Sequence, residues 1–148
     1  MFILPVNRES RPPSTPWVTC SLVVINSALW LVPASLGASQ TWINTYGYRP
    51  GAPSLLTLFA SMFLHVGFWH LAGNMWFLWM FAPKMEYRLG GGWFAGAYVL
   101  AGLGGQALEI LFSPGSLIPC VGASGAISGV LGVYFVLSHA HRSTCNCI

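Results

Sequence analysis

From Ser54 to Ala82 the chain runs about 29 residues without a charged side chain. That stretch is too apolar for the surface of a water-soluble domain and too long for one plain crossing of a membrane. At about 1.5 Å per residue a straight helix of this length reaches about 43 Å, beyond the roughly 30 Å hydrocarbon core of a bilayer. The run is therefore expected to break. Ser54 to about Val66 reads as an interfacial or re-entrant helix, and Gly67 or Phe68 to Ala82 as a shortish span. Trp69, Trp76 and Trp79 suit either aromatic belts at the membrane surfaces or packing.

Three more stretches have the same character. Trp17 to Leu36 is free of charge, with Pro33 placed to kink or end it. Trp93 to Phe112 carries only Glu109, near its exit, and Cys120 to Ser138 carries none. Charged residues are 6% of the chain, against about a quarter in an ordinary soluble domain, so a polar surface cannot be built. The expected fold is an all-α polytopic membrane protein of four transmembrane helices plus the interfacial helix. Residues 1–16, with Pro5, Pro12, Pro13 and Pro16, read as an extended leader, 17–140 as the membrane domain and 141–148 as a short tail. Gly37 to Pro53 and Ser113 to Pro119 read as connections, and Pro83 to Gly92, with Lys84, Glu86 and Arg88, as a wet loop.

The net charge of +3 is small and scattered, which excludes the clustered basic face of a nucleic-acid binder. Cys20, Cys120, Cys145 and Cys147 are spaced as free thiols, without a zinc site's ligand set, and no cleavable signal peptide is evident. Of the six basic residues, Arg49 alone falls on the side opposite Arg8, Arg11, Lys84, Arg88 and Arg142. By the positive-inside rule both termini are then cytoplasmic. The helices opening near Gly67 and Cys120 therefore both enter from the outer face. His70, Asn74 and Ser124 lie within a turn or two of those openings, at one shallow depth.

His70 and Asn74 are four residues apart and share a helix face. An unpaired polar group in lipid costs several kcal/mol, so they either bond a neighbouring helix or serve chemistry. His65, in the interfacial segment, needs no special explanation. Gly122-Ala123-Ser124-Gly125 is open in the same way. Gly125, Ser128, Gly129 and Gly132 form a small-residue stripe of the kind that packs helices closely, matched by Gly92, Gly96, Ala101 and Gly105. A nucleophilic serine is the other reading.

Taken together and in order, Phe63-Leu64-His65, His70-Leu71-Ala72-Gly73-Asn74-Met75, Glu86-Tyr87-Arg88-Leu89-Gly90 and Pro119-Cys120-Val121-Gly122-Ala123-Ser124-Gly125-Ala126 resemble the rhomboid family of intramembrane serine proteases. The resemblance covers roughly residues 17 to 140. It implies Ser124 as nucleophile, with His70 and Asn74 donating hydrogen bonds to the oxyanion, and Gly122 and Gly125 letting substrate backbone approach. It implies a structural role for Glu86 and Arg88. No metal or organic cofactor is required, and the partners are transmembrane protein substrates or clients within the bilayer.

The family's general base is a histidine in a sixth span. His139 and His141 stand 15 and 17 residues past Ser124, about 22 Å or more along one helix, out of reach of a base that must approach within about 3 Å. The tail Ser-Thr-Cys-Asn-Cys-Ile loses the apolar character of a further span and reads as prematurely ended. The chain alone is therefore expected to be inactive, the loss of a base costing about 10⁴–10⁶ in turnover. The alternative is a non-catalytic relative that binds transmembrane clients without cutting them. A channel or transporter subunit has only Glu109 in its favour.

Overall fold

A computed structural model describes residues 15–145, with side chains described as far as Val136. Most of the expected leader, including Arg8 and Arg11, and the end of the tail, including Cys147, lie outside the described residues. The elements are α1 (Trp17–Ser35), α2 (Ser39–Tyr46), α3 (Leu55–Ala60), one 3-10 turn (Ser61–Phe63), α4 (Phe68–Leu89), α5 (Gly91–Phe112) and α6 (Ser124–Cys145). Among the described residues extended pairing is confined to one antiparallel bridge between Tyr48 and Cys120, so the fold is all-helical. α1 and α5 are each long and apolar enough to cross a membrane. A third crossing is counted if Leu55–Phe63 and Phe68–Leu89 are taken as one broken span, and Ser124–Val136 is a shorter apolar helix.

The long uncharged run does break. Leu55–Phe63 and α4 meet at an angle of 83°, with Gly67 in extended conformation at the corner. The other expectation for this region fails. Pro83 to Gly92 is not a wet loop, because α4 passes through Pro83 and ends only at Leu89. The reason is Glu86, which is turned inward and only 7% exposed. Its carboxylate accepts from the amides of Val18 (2.9 Å) and Thr19 (2.8 Å) and from the Thr19 hydroxyl (2.7 Å). α1 begins after Pro16, which gives no side-chain cap, so a carboxylate from another helix meets the positive end of its dipole. Arg88 stays exposed in the last turn of α4. Gly90, at φ 84°, turns the chain directly into α5, a conformation that side-chain-bearing residues resist.

Two further boundaries differ from the sequence reading. The connection from Gly37 to Pro53 contains α2, a helix of eight residues whose single buried residue is Ile43. α6 starts at Ser124 rather than Cys120. Cys120 is held in its bridge to Tyr48, with amide-to-carbonyl distances of 2.7 and 3.0 Å, and Gly122 at φ 131° cannot be helical. Pro33 behaves as expected near the end of α1, which stops at Ser35.

α5 and α6 run antiparallel and pack through the small residues. A Cβ built on Gly105 would stand 3.0 Å from the Cα of Gly125, and one on Gly129 would overlap Ala101. Gly92, Gly96 and Gly132 take no part, since nothing lies within 4 Å of theirs. In lipid this closeness supplies dispersion contact that the hydrophobic effect cannot supply between apolar helices. Met62, Leu78, Met85, Phe94, Tyr98 and Ile127 fill the core among α4, α5, α6 and the 3-10 turn.

Candidate active site

Ser124 is the first residue of α6, and the strained turn before it sets its position. The amide of Gly122 donates to the carbonyl of Ser61 at 2.8 Å. The Ser61 hydroxyl in turn accepts from Gln106 of α5 at 2.9 Å, and both side chains are buried. On the other side, Tyr48 clamps Cys120, and the Arg49 Nε donates to the carbonyl of Leu117 at 2.9 Å. Two separate segments thus hold the backbone that leads into Ser124, and α5 steadies one of them through Gln106.

His70, in the first turn of α4, leans over the same turn. A Cβ at residue 122 would meet its Cε1 at 2.8 Å and its Nε2 at 3.0 Å, and would stand 3.7 Å from the Ser124 hydroxyl oxygen. Only glycine leaves room for imidazole and hydroxyl to share this space. Asn74, one turn further along α4, is 8% exposed, and its Nδ2 donates to the carbonyl of His70 at 3.0 Å. His65 is buried edge-on against His70, with ring centroids 5.1 Å apart and no hydrogen-bond partner on either nitrogen among the described residues.

Two cavities meet at this point. One, about 410 Å³, lies between α4 and α6 and is lined by His70, Asn74 and Ser124 together with Trp69, Phe77 and Leu131. The other, about 390 Å³, lies between α5 and the segment leading into α6. It too is lined by His70 and Ser124, with Gly122, Gly125, Gln106, Cys120 and Glu109. Burial raises the pKa of the Cys120 thiol, and the Glu109 carboxylate beside it adds to the rise. His70 and Ser124 therefore form the partition between the two spaces. Among the described residues no three His, Cys, Asp or Glu side chains converge as a metal site would need.

The structure brings His70, Asn74, Ser124, Gly122 and Gly125 together, and it places Glu86 and Arg88 at the opposite end of α4. A serine at a helix N-terminus has free amides and a favourable dipole at hand for an oxyanion. The sequence reading missed Ser61, Gln106 and Tyr48. Ser61 and Gln106 are polar residues inside apolar runs, a signal that was available, whereas Tyr48 carried none.

Residues 52–147 match the sequence model of the Rhomboid domain. The chain belongs to the rhomboid family. It is 34% identical over 142 residues to "Putative rhomboid protease YdcA" of Bacillus subtilis, covering 93% of this chain and 70% of that protein. It is 33% identical over 137 residues to "Rhomboid protein 1, mitochondrial" of Saccharomyces cerevisiae, covering 89% and 39%. Against "Rhomboid protease GluP" of Bacillus subtilis it is 38% identical over 85 residues, covering 57% and 16%. The chain thus spans well under half the length of two of these rhomboid relatives. The matched region contains both cavities and every rhomboid-like motif from Phe63 to Ala126.

Proposed function

We propose that this rhomboid chain carries the nucleophile and oxyanion side of a serine endopeptidase that cleaves peptide bonds in or near transmembrane segments of other proteins. The observation that carries the reading is the shared turn at Gly122, where the His70 ring and the Ser124 hydroxyl crowd one backbone position. Ser124 attacks the scissile carbonyl. His70 and Asn74, beside the Ser124 amide, stabilise the oxyanion, each donor worth roughly 10²–10³ in rate. Four spans and the α3 segment, with both termini cytoplasmic, place this site near the outer surface, where water and a membrane-embedded peptide can both reach it.

The reading assigns the general base to a residue outside the described side chains near Ser124. α6 is one continuous helix from Ser124 to Cys145, so positions 139 and 141 stand at its far end. The 148 residues by themselves are accordingly inactive in this reading. The test is a reporter transmembrane substrate reconstituted in liposomes with the membrane-inserted protein, alone and with two further rhomboid spans supplied. Cleavage that appears with those spans and disappears in Ser124→Ala supports the reading, and cleavage that persists in Ser124→Ala overturns it.

One observation favours a second reading. His70 is the sole histidine on either cavity among the described residues, and it already leans on Gly122. A rhomboid-like protein that binds transmembrane clients without cutting them needs no base. Stable capture of the reporter with no cleavage under any arrangement of spans selects it.

A further inference from the structure

The end of the bundle away from Ser124 carries two cations without a countercharge. Lys84 and Arg88 stand one turn apart on the exposed face of α4, and among the described residues neither meets a carboxylate. Glu86, between them in the chain, is turned inward and taken up by the start of α1. Lys84 lies on the same helix as His70 and about 21 Å further along its axis, so this face is remote from the candidate active site.

The surroundings put the pair at a membrane surface. α1 begins at Trp17 and α5 at Gly91, and both helices are long and apolar enough to cross a membrane. Their starts lie together, since a Cβ on Gly91 would stand 3.2 Å from a methyl carbon of Val18. Trp17 and Trp93 are both exposed at this end, as the indoles of an interfacial belt are. The ammonium of Lys84 lies over the ring of Tyr134 from α6, 5.9 Å from its centroid. That cation–π contact holds the head group beside the helices instead of leaving it free in water. Arg88 adds a planar fork that matches phosphate oxygens. The opposite end has no such surplus. Arg49 there is bonded to the carbonyl of Leu117, and the carboxylate of Glu109 lies at the same end.

We propose that Lys84 and Arg88 bind the phosphate of an anionic phospholipid, with Trp17 and Trp93 setting the depth of this end in the headgroup layer. Side chains at i and i+4 on a helix have Cβ atoms about 5–6 Å apart, so both cations reach one phosphodiester. The occupant is a lipid because the pair projects at the level of the indoles, where the bilayer's own phosphates supply the negative charge. The site requires a bilayer and nothing of the peptidase reading.

The test is native mass spectrometry of the full chain released from bicelles that hold equal amounts of phosphatidylglycerol and phosphatidylcholine with matched acyl chains. Phosphatidylglycerol is expected to be retained about 25-fold more tightly, about fivefold from each cation. Lys84→Gln and Arg88→Gln should each lower the preference about fivefold, and the double variant should erase it. Both side chains are exposed, so the helices should be kept, which circular dichroism on the same preparations checks. Arg49→Gln, at the opposite end, should leave the preference unchanged. Equal retention of the two lipids overturns the inference, as does a preference that survives the double variant. A loss in Arg49→Gln as large as in the double variant also overturns it, because net charge alone would then account for the binding.

Discussion

The imidazole of His70 occupies the space that a side chain at residue 122 would need, and Gly122 holds a φ of 131° beneath it. Gly122→Ala therefore faces two obstacles at once, a disfavoured backbone and a ring in the way. The variant should still insert and keep its helices, because the change lies in the turn before α6 and outside every helix. With two further rhomboid spans supplied, labelling of Ser124 by a serine-reactive phosphonate should fall at least about 10²-fold, the scale on which a displaced oxyanion donor is felt. Wild-type labelling in Gly122→Ala would show that the turn does not set the site.

Asn74 bonds to its own helix through one amide hydrogen, at the carbonyl of His70. Its removal should do little to stability, by less than about 1.5 kcal/mol for one such bond. Asn74→Ala should nonetheless slow cleavage of the reporter by about 10²–10³. Thermal melts and turnover measured on one preparation distinguish this from a merely structural asparagine, whose loss would move both together.

Glu86 ties α4 to the start of α1 through three short hydrogen bonds. Glu86→Gln keeps the shape and removes the charge that faces the helix dipole. The expected cost is about 1–3 kcal/mol, read as earlier unfolding of the membrane domain in graded SDS. Arg88→Gln, two residues away and exposed, should change little in the same assay.

The pairing of Gln106 with Ser61 is buried on both sides. Ser61→Ala alone strands the Gln106 amide, at a cost of about 1–3 kcal/mol. Gln106→Leu together with Ser61→Ala should recover part of that loss, giving a measurable coupling in a double-mutant cycle. Additive effects would show that the two side chains do not depend on each other.

Gly129 and Gly96 look alike in the sequence and differ in the structure. A methyl at 129 overlaps Ala101, whereas one at 96 meets nothing within 4 Å. Gly129→Ala should lower stability by about 1–3 kcal/mol through overpacking. Gly96→Ala should be neutral or raise it by up to about 1 kcal/mol, as an alanine in a helix interior does. Melting curves of the two variants in one detergent give the comparison.

That pair also shows what the sequence could carry. Small residues at helical spacing announced a close contact between two helices, but not which glycines of each stripe would meet. The break after Val66 was readable because a bilayer has a thickness, and the grouping of His70, Asn74 and Ser124 around one cavity was expected because their motifs occur in order. The end of α4 was misread because Lys84, Glu86 and Arg88 resemble a solvated loop, and only a helix start 67 residues away reveals that Glu86 faces inward. Tyr48 was invisible for a related reason. Its role lies in backbone groups, which every residue possesses and no motif records.

The turn before Ser124 also fixes an order of events. Its restraints come from Arg49, 68 residues before its partner, and from Ser61, whose hydroxyl meets a side chain 45 residues further along. Contacts that span so much chain form late, since long loops must close first. While the helices are still entering the bilayer one after another, Ser124 is an ordinary hydroxyl on an unfinished surface. The turn takes up its geometry only when the first half of the chain and the second half have met, so the space that His70 and Ser124 share does not exist while the chain is still being inserted.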